Sequence, residues 1–185
     1  MVEIRPLASL SADQVHEIGG GYTSPARYTV RKVESVERTV ITLELILLDS
    51  PYVKCWEQSD EEEWARYQQF LAEGYSLGAY EGEDLVGFAL NEPRRWNNTL
   101  WIWEFHVGET HRRRGIGRQL MGAVVEKARQ AGFRVVGLET QSTNIPAISF
   151  YRAVGFEIDA LDLSLYTNTD AIDGEVAIFM KRKLK

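Results

Sequence analysis

Three arginines and two glycines fall within six residues of this chain, Arg112-Arg113-Arg114-Gly115-Ile116-Gly117. They follow an apolar, aromatic stretch from Leu100 to Val107 that reads as a buried strand. They precede Ile116, Leu120, Val124, Ala128 and Ala131, whose three- and four-residue spacing reads as a helix. A strand, a basic glycine-rich turn and a helix N-terminus together suit the holding of phosphate. Glycine lets backbone N–H groups approach an anion, the first helical turn leaves its N–H groups unpaired, and the helix dipole favours negative charge.

Two common phosphate fingerprints do not fit. G-x-G-x-x-G fails because Leu120 stands at the third glycine, and no G-x-x-x-x-G-K-[ST] string occurs. What remains is R-x-x-G-x-G. A second string follows the apolar strand Val135 to Thr140, running Asn144-Ile145-Pro146-Ala147-Ile148-Ser149-Phe150-Tyr151-Arg152-Ala153-Val154-Gly155-Phe156. Pro146 suits the first turn of a helix and Gly155 the position just past its end. The two strings, in this order and at this separation, resemble the acyl-coenzyme A loop and the second signature, N-x-x-A-x-x-F-Y-x-x-x-G-F, of the GNAT N-acetyltransferase superfamily. Arg113 departs from the first pattern, since a glycine is common at its place.

The likeness narrows over roughly residues 45 to 180. Leu138-Glu139-Thr140-Gln141, Gly155-Phe156-Glu157-Ile158, Asp162, Leu165-Tyr166 and Ala177-Ile178-Phe179 resemble the streptothricin acetyltransferases, as do Trp96-Asn97-Asn98 and Pro51-Tyr52-x-Lys54. The resemblance implies acetyl-coenzyme A as co-substrate, no metal, and direct attack by a small-molecule amine such as the β-lysine amine of streptothricin. Another small amine, an aminoglycoside or a protein amine stays open as the acceptor. So does a different class, a regulator that binds coenzyme A without catalysis.

Acetyl transfer poses two proton problems. An alkylammonium with a pKa of about 10.4 costs roughly 4.6 kcal/mol to deprotonate at pH 7. Glu104, on the central strand, resembles the acidic position of the family that receives this proton; an outward-facing glutamate in a salt bridge is the alternative. Glu139, on the next strand, is the second candidate for the base, or a binder of substrate charge with Gln141 and Trp103. The leaving thiolate needs the other proton, and Tyr151 matches the general acid of the family. A phenol near 10 is a weaker acid than a thiol near 8.5, so full transfer is uphill by roughly 2 kcal/mol, although a phenolic hydrogen bond still helps. Tyr151 also reads as the core partner of Ala147 one turn earlier.

The same resemblance places cofactor contacts at Phe105, His106 and Val107 and at Asn144, Ala147 and Tyr151. It places the pyrophosphate at Arg112, Arg113, Arg114, Gly115, Ile116, Gly117 and Arg118. In the GNAT fold a bulge splays the central strand so that the backbone of Phe105 and Val107 meets the pantetheine arm. Strand alternation turns the His106 side chain to the opposite face, so no catalytic role is assigned to it. Asn144 suits either a pantetheine amide or a local turn. The Trp96, Trp101 and Trp103 cluster suits packing, or a cation at a cleft mouth.

Composition sets outer limits. The chain has 185 residues, 44% hydrophobic, with a formal net charge of −6. That length and content suit one domain, expected to span 1–185, with an ample core. The acidic balance argues against nucleic acid, favours cationic substrates, and obliges the local arginines to overcome a field that repels coenzyme A. The run Ile41 to Leu48 is too short to cross a bilayer and contains Glu44, so no membrane association is expected. A single cysteine, Cys55, allows no internal disulfide and fits a cytoplasmic protein. His16, His106 and His111 lack metal-ligand spacing, and no G-x-S-x-G elbow is present. A homodimer is a further expectation.

The elements needed to hold these residues can be read in order. Val2 to Leu7 reads as a strand, and 9–20 holds a short helix broken by Gly19-Gly20-Gly21. Tyr28 to Val33 and Thr39 to Leu48 read as strands. Ser59 and Glu62 form a capping box for a helix whose stripe is Trp64, Tyr67, Phe70 and Leu71, ending at Gly74. Tyr75 to Tyr80 and Leu85 to Leu90 flank a turn at Glu81-Gly82-Glu83-Asp84. After the two motifs, Phe156 to Leu165 and Glu175 to Met180 form a closing β pair. The expected class is α/β (α+β), a GNAT fold with a mixed central sheet, a splayed central strand and flanking helices.

Overall fold

A computed structural model describes residues 1–55 and 61–184. The chain falls into two compact units. The first comprises Met1–Gly21, Cys55–Leu138 and Lys181–Lys185, and the second Tyr22–Lys54 and Glu139–Met180.

The first unit is built on β1 (Val2–Pro6), β4 (Leu77–Glu81), β5 (Asp84–Arg94) and β6 (Thr99–Val107), adjacent in that order and antiparallel. β7 (Val135–Gln141) runs parallel to β6, paired from Thr99↔Val135 to Ile102↔Leu138. Parallel neighbours need a long crossover, and α3 (Ile116–Gln130) supplies it. The sheet is therefore mixed, as expected.

The central strand is bulged, as the resemblance implies. Leu90 opposes Glu104 while Asn91 opposes Ile102, so Trp103 is the extra residue. From Glu104 onward the alternation is regular again. Phe88 opposes His106, and Leu90 opposes Glu104. Phe88 and Leu90 belong to the core that α1 (Ala12–Gly19) and α2 (Glu61–Ala72) cover with Ile18, Tyr67, Phe70 and Leu71. Val107 instead packs beside Ile116 at the start of α3. Ile116, Leu120, Val124 and Ala128 are buried as their spacing predicts, but Ala131 lies just past the helix and is exposed.

Several boundaries differ from the sequence reading. The helix in 9–20 starts later, at Ala12, because Ser11 and Gln14 form a capping box, with Ser11 Oγ accepting from Gln14 N at 3.2 Å and Gln14 Oε1 from Ser11 N at 2.9 Å. That pattern is Ser-x-x-Gln and went unread. The box expected at Ser59 lies outside the described residues; Glu61, Glu62 and Glu63 fill the first turn of α2, where the helix dipole favours them.

The second unit contains a ribbon of β2 (Tyr22–Glu34) and β3 (Thr39–Lys54), each longer than periodicity indicated. It also contains the end of β7, α4 (Ile145–Ala153), β8 (Glu157–Asp162), α5 (Asp170–Asp173) and most of β9 (Ala177–Lys183). α4 begins with Asn144 at its N-cap and Pro146 in its first turn. Gly155 follows its end at φ 88°, a conformation that favours glycine.

Candidate active site

The basic turn leaves backbone N–H groups open at the start of α3. Gly115 caps α3 at φ 83°, and no side chain caps the first turn. The N–H groups at the start of a 15-residue helix are thus left for an anion, beside the exposed side chains of Arg112, Arg113, Arg114 and Arg118. These residues fit a coenzyme A pyrophosphate. Arg113 adopts φ 62°, the left-handed conformation a glycine would take without cost. Arg113 therefore holds this conformation at the expense of local strain.

Two of the arginines are also structural. Arg112 Nε donates to Val107 O at 3.0 Å and its Nη2 to Gly21 O at 3.4 Å, tying the turn to the end of β6. Arg114 donates to both oxygens of Glu81, at 2.7 and 3.4 Å. Both guanidinium groups are held in place before any ligand is considered.

On β6 the backbone and the side chains divide the work. Gly108 N donates to Val86 O at 2.9 Å. In an antiparallel ladder the bonded positions alternate, so Phe105 and Val107 turn their main-chain groups to the side away from β5. Pairing on that side is with β7 and runs only as far as Ile102↔Leu138. The main-chain groups of Phe105 and Val107 thus lie beyond the β6–β7 pairing.

The side chains of Glu104 and His106 share the other face and touch. His106 Nε2 lies 2.5 Å from Glu104 Oε2, and Tyr67 Oη of α2 donates to Glu104 Oε1 at 2.7 Å. Tyr67 also bonds Glu63 Oε1 at 3.0 Å. Burial alone would raise the Glu104 carboxyl. The hydrogen bond and charge of His106, aided by the Tyr67 hydroxyl, reverse this and hold it below the usual range. Burial and the charge of Glu104 push the Tyr67 hydroxyl far up, so it stays a donor. Glu104 is therefore a partly exposed carboxylate, ion-paired with His106, at the centre of a cluster joining β6 and α2. Alternation alone separated His106 from Phe105 and Val107; it also places His106 beside Glu104, and that half of the signal was missed.

Trp103, expected to bind substrate, is held by side chains of neighbouring elements. It stacks on Phe70 with ring centroids 5.6 Å apart, and its Nε1 donates to Glu92 at 2.9 Å. The guanidinium carbons of Arg66 and Arg94 lie 5.3 and 5.8 Å from its centroid. With these contacts made, 36% of the residue stays exposed.

The remaining candidates lie in the second unit. Tyr151 is buried on α4, with its ring 5.5 Å from Phe150 and 5.9 Å from Phe156. Asn144 Oδ1 accepts from Ala147 N at 3.2 Å, so one end of the Asn144 amide serves the helix start. Glu139 accepts a short hydrogen bond from Tyr166. Burial, then the charge of Glu139, push the Tyr166 hydroxyl up, while its hydrogen bond with Gln141 opposes this. A second carboxylate, Glu175, went unread in the sequence. It accepts from Lys54 Nζ at 2.6 Å and from Thr143 Oγ1 at 2.9 Å, and Tyr22 Oη lies 2.7 Å from that threonine oxygen. Lys54 Nζ is also 5.9 Å from the Tyr166 ring centroid. This acidic, tyrosine-rich group already holds one alkylammonium. Its signals were Tyr52, Lys54 and Tyr166 in the subfamily pattern; nothing in the spacing marked Tyr22, Thr143 or Glu175.

Among the described residues no cluster of His, Cys, Asp or Glu suits a metal ion, and no helix is long and apolar enough to cross a membrane. Comparison with known proteins follows the same lines. The family model described as "Acetyltransferase (GNAT) family" matches residues 43–156. The streptothricin acetyltransferase of Streptomyces lavendulae is 32% identical over 181 residues, 96% of this chain and 93% of the relative. The crystal structure of nourseothricin acetyltransferase is 29% identical with a TM-score of 0.75, covering 100% of this chain and 99% of that one. A putative streptothricin acetyltransferase from Bacillus anthracis str. Ames, solved in complex with acetyl coenzyme A, shares the fold at 24% identity and a TM-score of 0.76, covering 100% of this chain and 99% of that one. With its two motifs, its bulged central strand and these matches, the chain belongs to the acetyltransferase (GNAT) family and is an acetyl-coenzyme A-dependent N-acetyltransferase.

Proposed function

We propose that this enzyme acetylates streptothricin at the amine of its β-lysine part, conferring resistance to that antibiotic, with residues 1–185 working as one catalytic domain. The observation that carries the reading is the 32% identity with a streptothricin acetyltransferase over 93% of its length. The Glu139 and Glu175 group supports it, because carboxylates ringed by tyrosines suit an amine-rich cation.

In this reading the first turn of α3 and the arginines before it hold the pyrophosphate, and the backbone of Phe105 and Val107 lies along the pantetheine arm. Bound acetyl-coenzyme A supplies a thioester open to direct attack by the amine. The Glu104 cluster receives the proton the amine must lose. Tyr151 hydrogen-bonds the leaving sulfur and helps protonate it.

The test is thiol release from acetyl-coenzyme A against a panel of amines that includes streptothricin. Streptothricin is expected to give the highest kcat/KM. A faster aminoglycoside or peptide amine would overturn the substrate, and binding without turnover of any amine would make the protein a regulator. Tyr151→Phe is expected to lower kcat by about 10- to 100-fold with little change in KM. An unchanged rate would remove Tyr151 from the chemistry.

A further inference from the structure

Glu104 is a poorly placed proton acceptor. One of its oxygens takes the Tyr67 hydroxyl and the other faces His106 Nε2. A carboxylate held below its usual range is also a weak base for an alkylammonium. The histidine beside it has the opposite character. An ionised carboxylate only accepts hydrogen bonds, so His106 Nε2 carries the proton of this short contact and Nδ1 carries the lone pair. Among the described residues Nδ1 has no hydrogen-bond partner. The ring is packed but reachable, with 15% of the side chain exposed. Phe88 of β5 lies 5.3 Å from the ring, centroid to centroid. Gly19 at the end of α1 presents no side chain to the Nδ1 edge; a Cβ there would stand 3.8 Å from Nδ1. Among the described residues Glu104 is the one titratable group in hydrogen-bond, ion-pair or ring contact with His106, and Tyr67 and Glu63 of α2 act on it through Glu104.

We propose that His106, through Nδ1, takes the proton from the acceptor amine, and that Glu104 is the positioning residue that fixes its ring and tautomer. The inference rests on the amine acetylation proposed above. In the step, an N–H bond of the ammonium breaks and an Nδ1–H bond forms. The neutral amine is left to attack, and the imidazolium faces the carboxylate of Glu104, which stays ionised. The imidazolium then returns its proton to solvent. An ordinary imidazole, at about 6.5, is better matched to neutral pH than an ordinary carboxylate, at about 4.3. The carboxylate that orients the ring also stabilises the cation formed on it.

Two measurements on the full-length enzyme test this. Long-range proton–nitrogen NMR of the imidazole at neutral pH is expected to show His106 protonated at Nε2 and bare at Nδ1; the reverse tautomer overturns the proposal whatever the substrate. In steady-state assays with the best amine of the panel, His106→Ala is expected to lose about 10²- to 10³-fold in kcat/KM. Added imidazole should restore part of that loss, which a merely structural role would not allow. Glu104→Gln should lose less, and its loss should fall on kcat rather than KM, because the amide still meets the ring but does not balance the charge formed on it. Circular-dichroism melting identifies any variant that fails to fold, and the tautomer measurement on wild type then decides. A His106→Ala rate within threefold of wild type, or a folded Glu104→Gln slower than His106→Ala, overturns the assignment while leaving acetylation intact. A wild-type enzyme that acetylates no amine overturns both readings.

Discussion

Two stretches of the first unit, only a few residues apart along the chain, are prepared for chemistry in opposite ways. At Glu104 and His106 the side chains are closed on one another and on Tyr67, which comes from a helix 37 positions earlier. At Arg112 to Gly117 the arginine side chains are exposed or spent on bracing, and the backbone provides the surface: a glycine at the N-cap, a left-handed arginine and a helix start with no side-chain cap. The first is a contact between distant elements, and the second is a local conformation. The two should fail differently, the first by loss of chemistry and fold together, the second by small graded losses of binding.

The largest effect is expected at Glu104. Truncation by Glu104→Ala removes the partner of the His106 ring and the nearer of two acceptors of the Tyr67 hydroxyl, which keeps Glu63. An imidazole N–H left without its acceptor costs about 1–3 kcal/mol, so a melting temperature lower by several degrees should accompany a rate loss of about 10²-fold. A variant slow at normal stability would show that the cluster is purely chemical, and one unstable at normal rate that it is purely structural. The comparison requires both losses.

A smaller loss is expected from Gly115→Ala. Open space surrounds the site, with nothing within 4 Å of the added Cβ, so the cost is conformational rather than steric. A non-glycine residue at φ 83° costs about 1–2 kcal/mol. If part of that falls on the ligand-ready conformation, affinity for coenzyme A measured by calorimetry should fall by about tenfold, with kcat for bound substrate little changed. A fall in kcat at unchanged affinity would tie the cap to the reaction step and erase the contrast with Glu104.

This contrast also explains what the sequence could disclose. The strand, basic turn and helix from Leu100 to Ala128 were legible because each rests on short-range rules: apolar spacing, glycine at a cap, an uncapped first turn. The start of α4 was legible for the same reason, through Asn144, Pro146 and Gly155. Glu104 was found through resemblance, but its partners were not. Tyr67 read as one member of a core stripe, which it is, and no local rule reports that a core tyrosine ends its hydroxyl on a carboxylate of another element. Glu175 was missed likewise, because Lys54 and Thr143 reach it across more than thirty residues of chain or more. The unread Ser11–Gln14 box, in contrast, was a short-range signal plainly available.

A still smaller effect distinguishes the stability of the two stretches with pH. The Glu104 carboxyl is depressed in the folded state by His106 and Tyr67 against the opposing effect of burial. A depressed carboxyl adds stability above its unfolded value of about 4.3, and that contribution disappears as pH falls through the lower folded value. Wild type should therefore lose stability faster than Glu104→Gln as pH is lowered from about 5 to 3. Urea midpoints across that window measure it. Parallel curves would mean that the ion pair is no stronger folded than unfolded. Variants of Arg113 should leave the slope unchanged, because among the described residues no carboxylate pairs with that side chain.

The smallest effect is expected at Arg113, and it has the opposite sign. The arginine holds φ 62° within a turn whose ends are fixed by Arg112 on Val107 and by the start of α3. Glycine adopts this conformation freely, so Arg113→Gly should relieve about 1 kcal/mol of strain, partly offset by the greater freedom of glycine in the unfolded chain. The net result is a melting temperature higher by no more than about 2–4 °C. One positive charge near the helix start is lost at the same time, so coenzyme A affinity should fall slightly and the fall should shrink as salt is added. Strain relief without change in binding would assign phosphate recognition to backbone alone. A large, salt-sensitive loss of affinity would instead show that the arginine is kept in a costly conformation because its charge is used, and the turn would then depend on its side chains as the Glu104 cluster does.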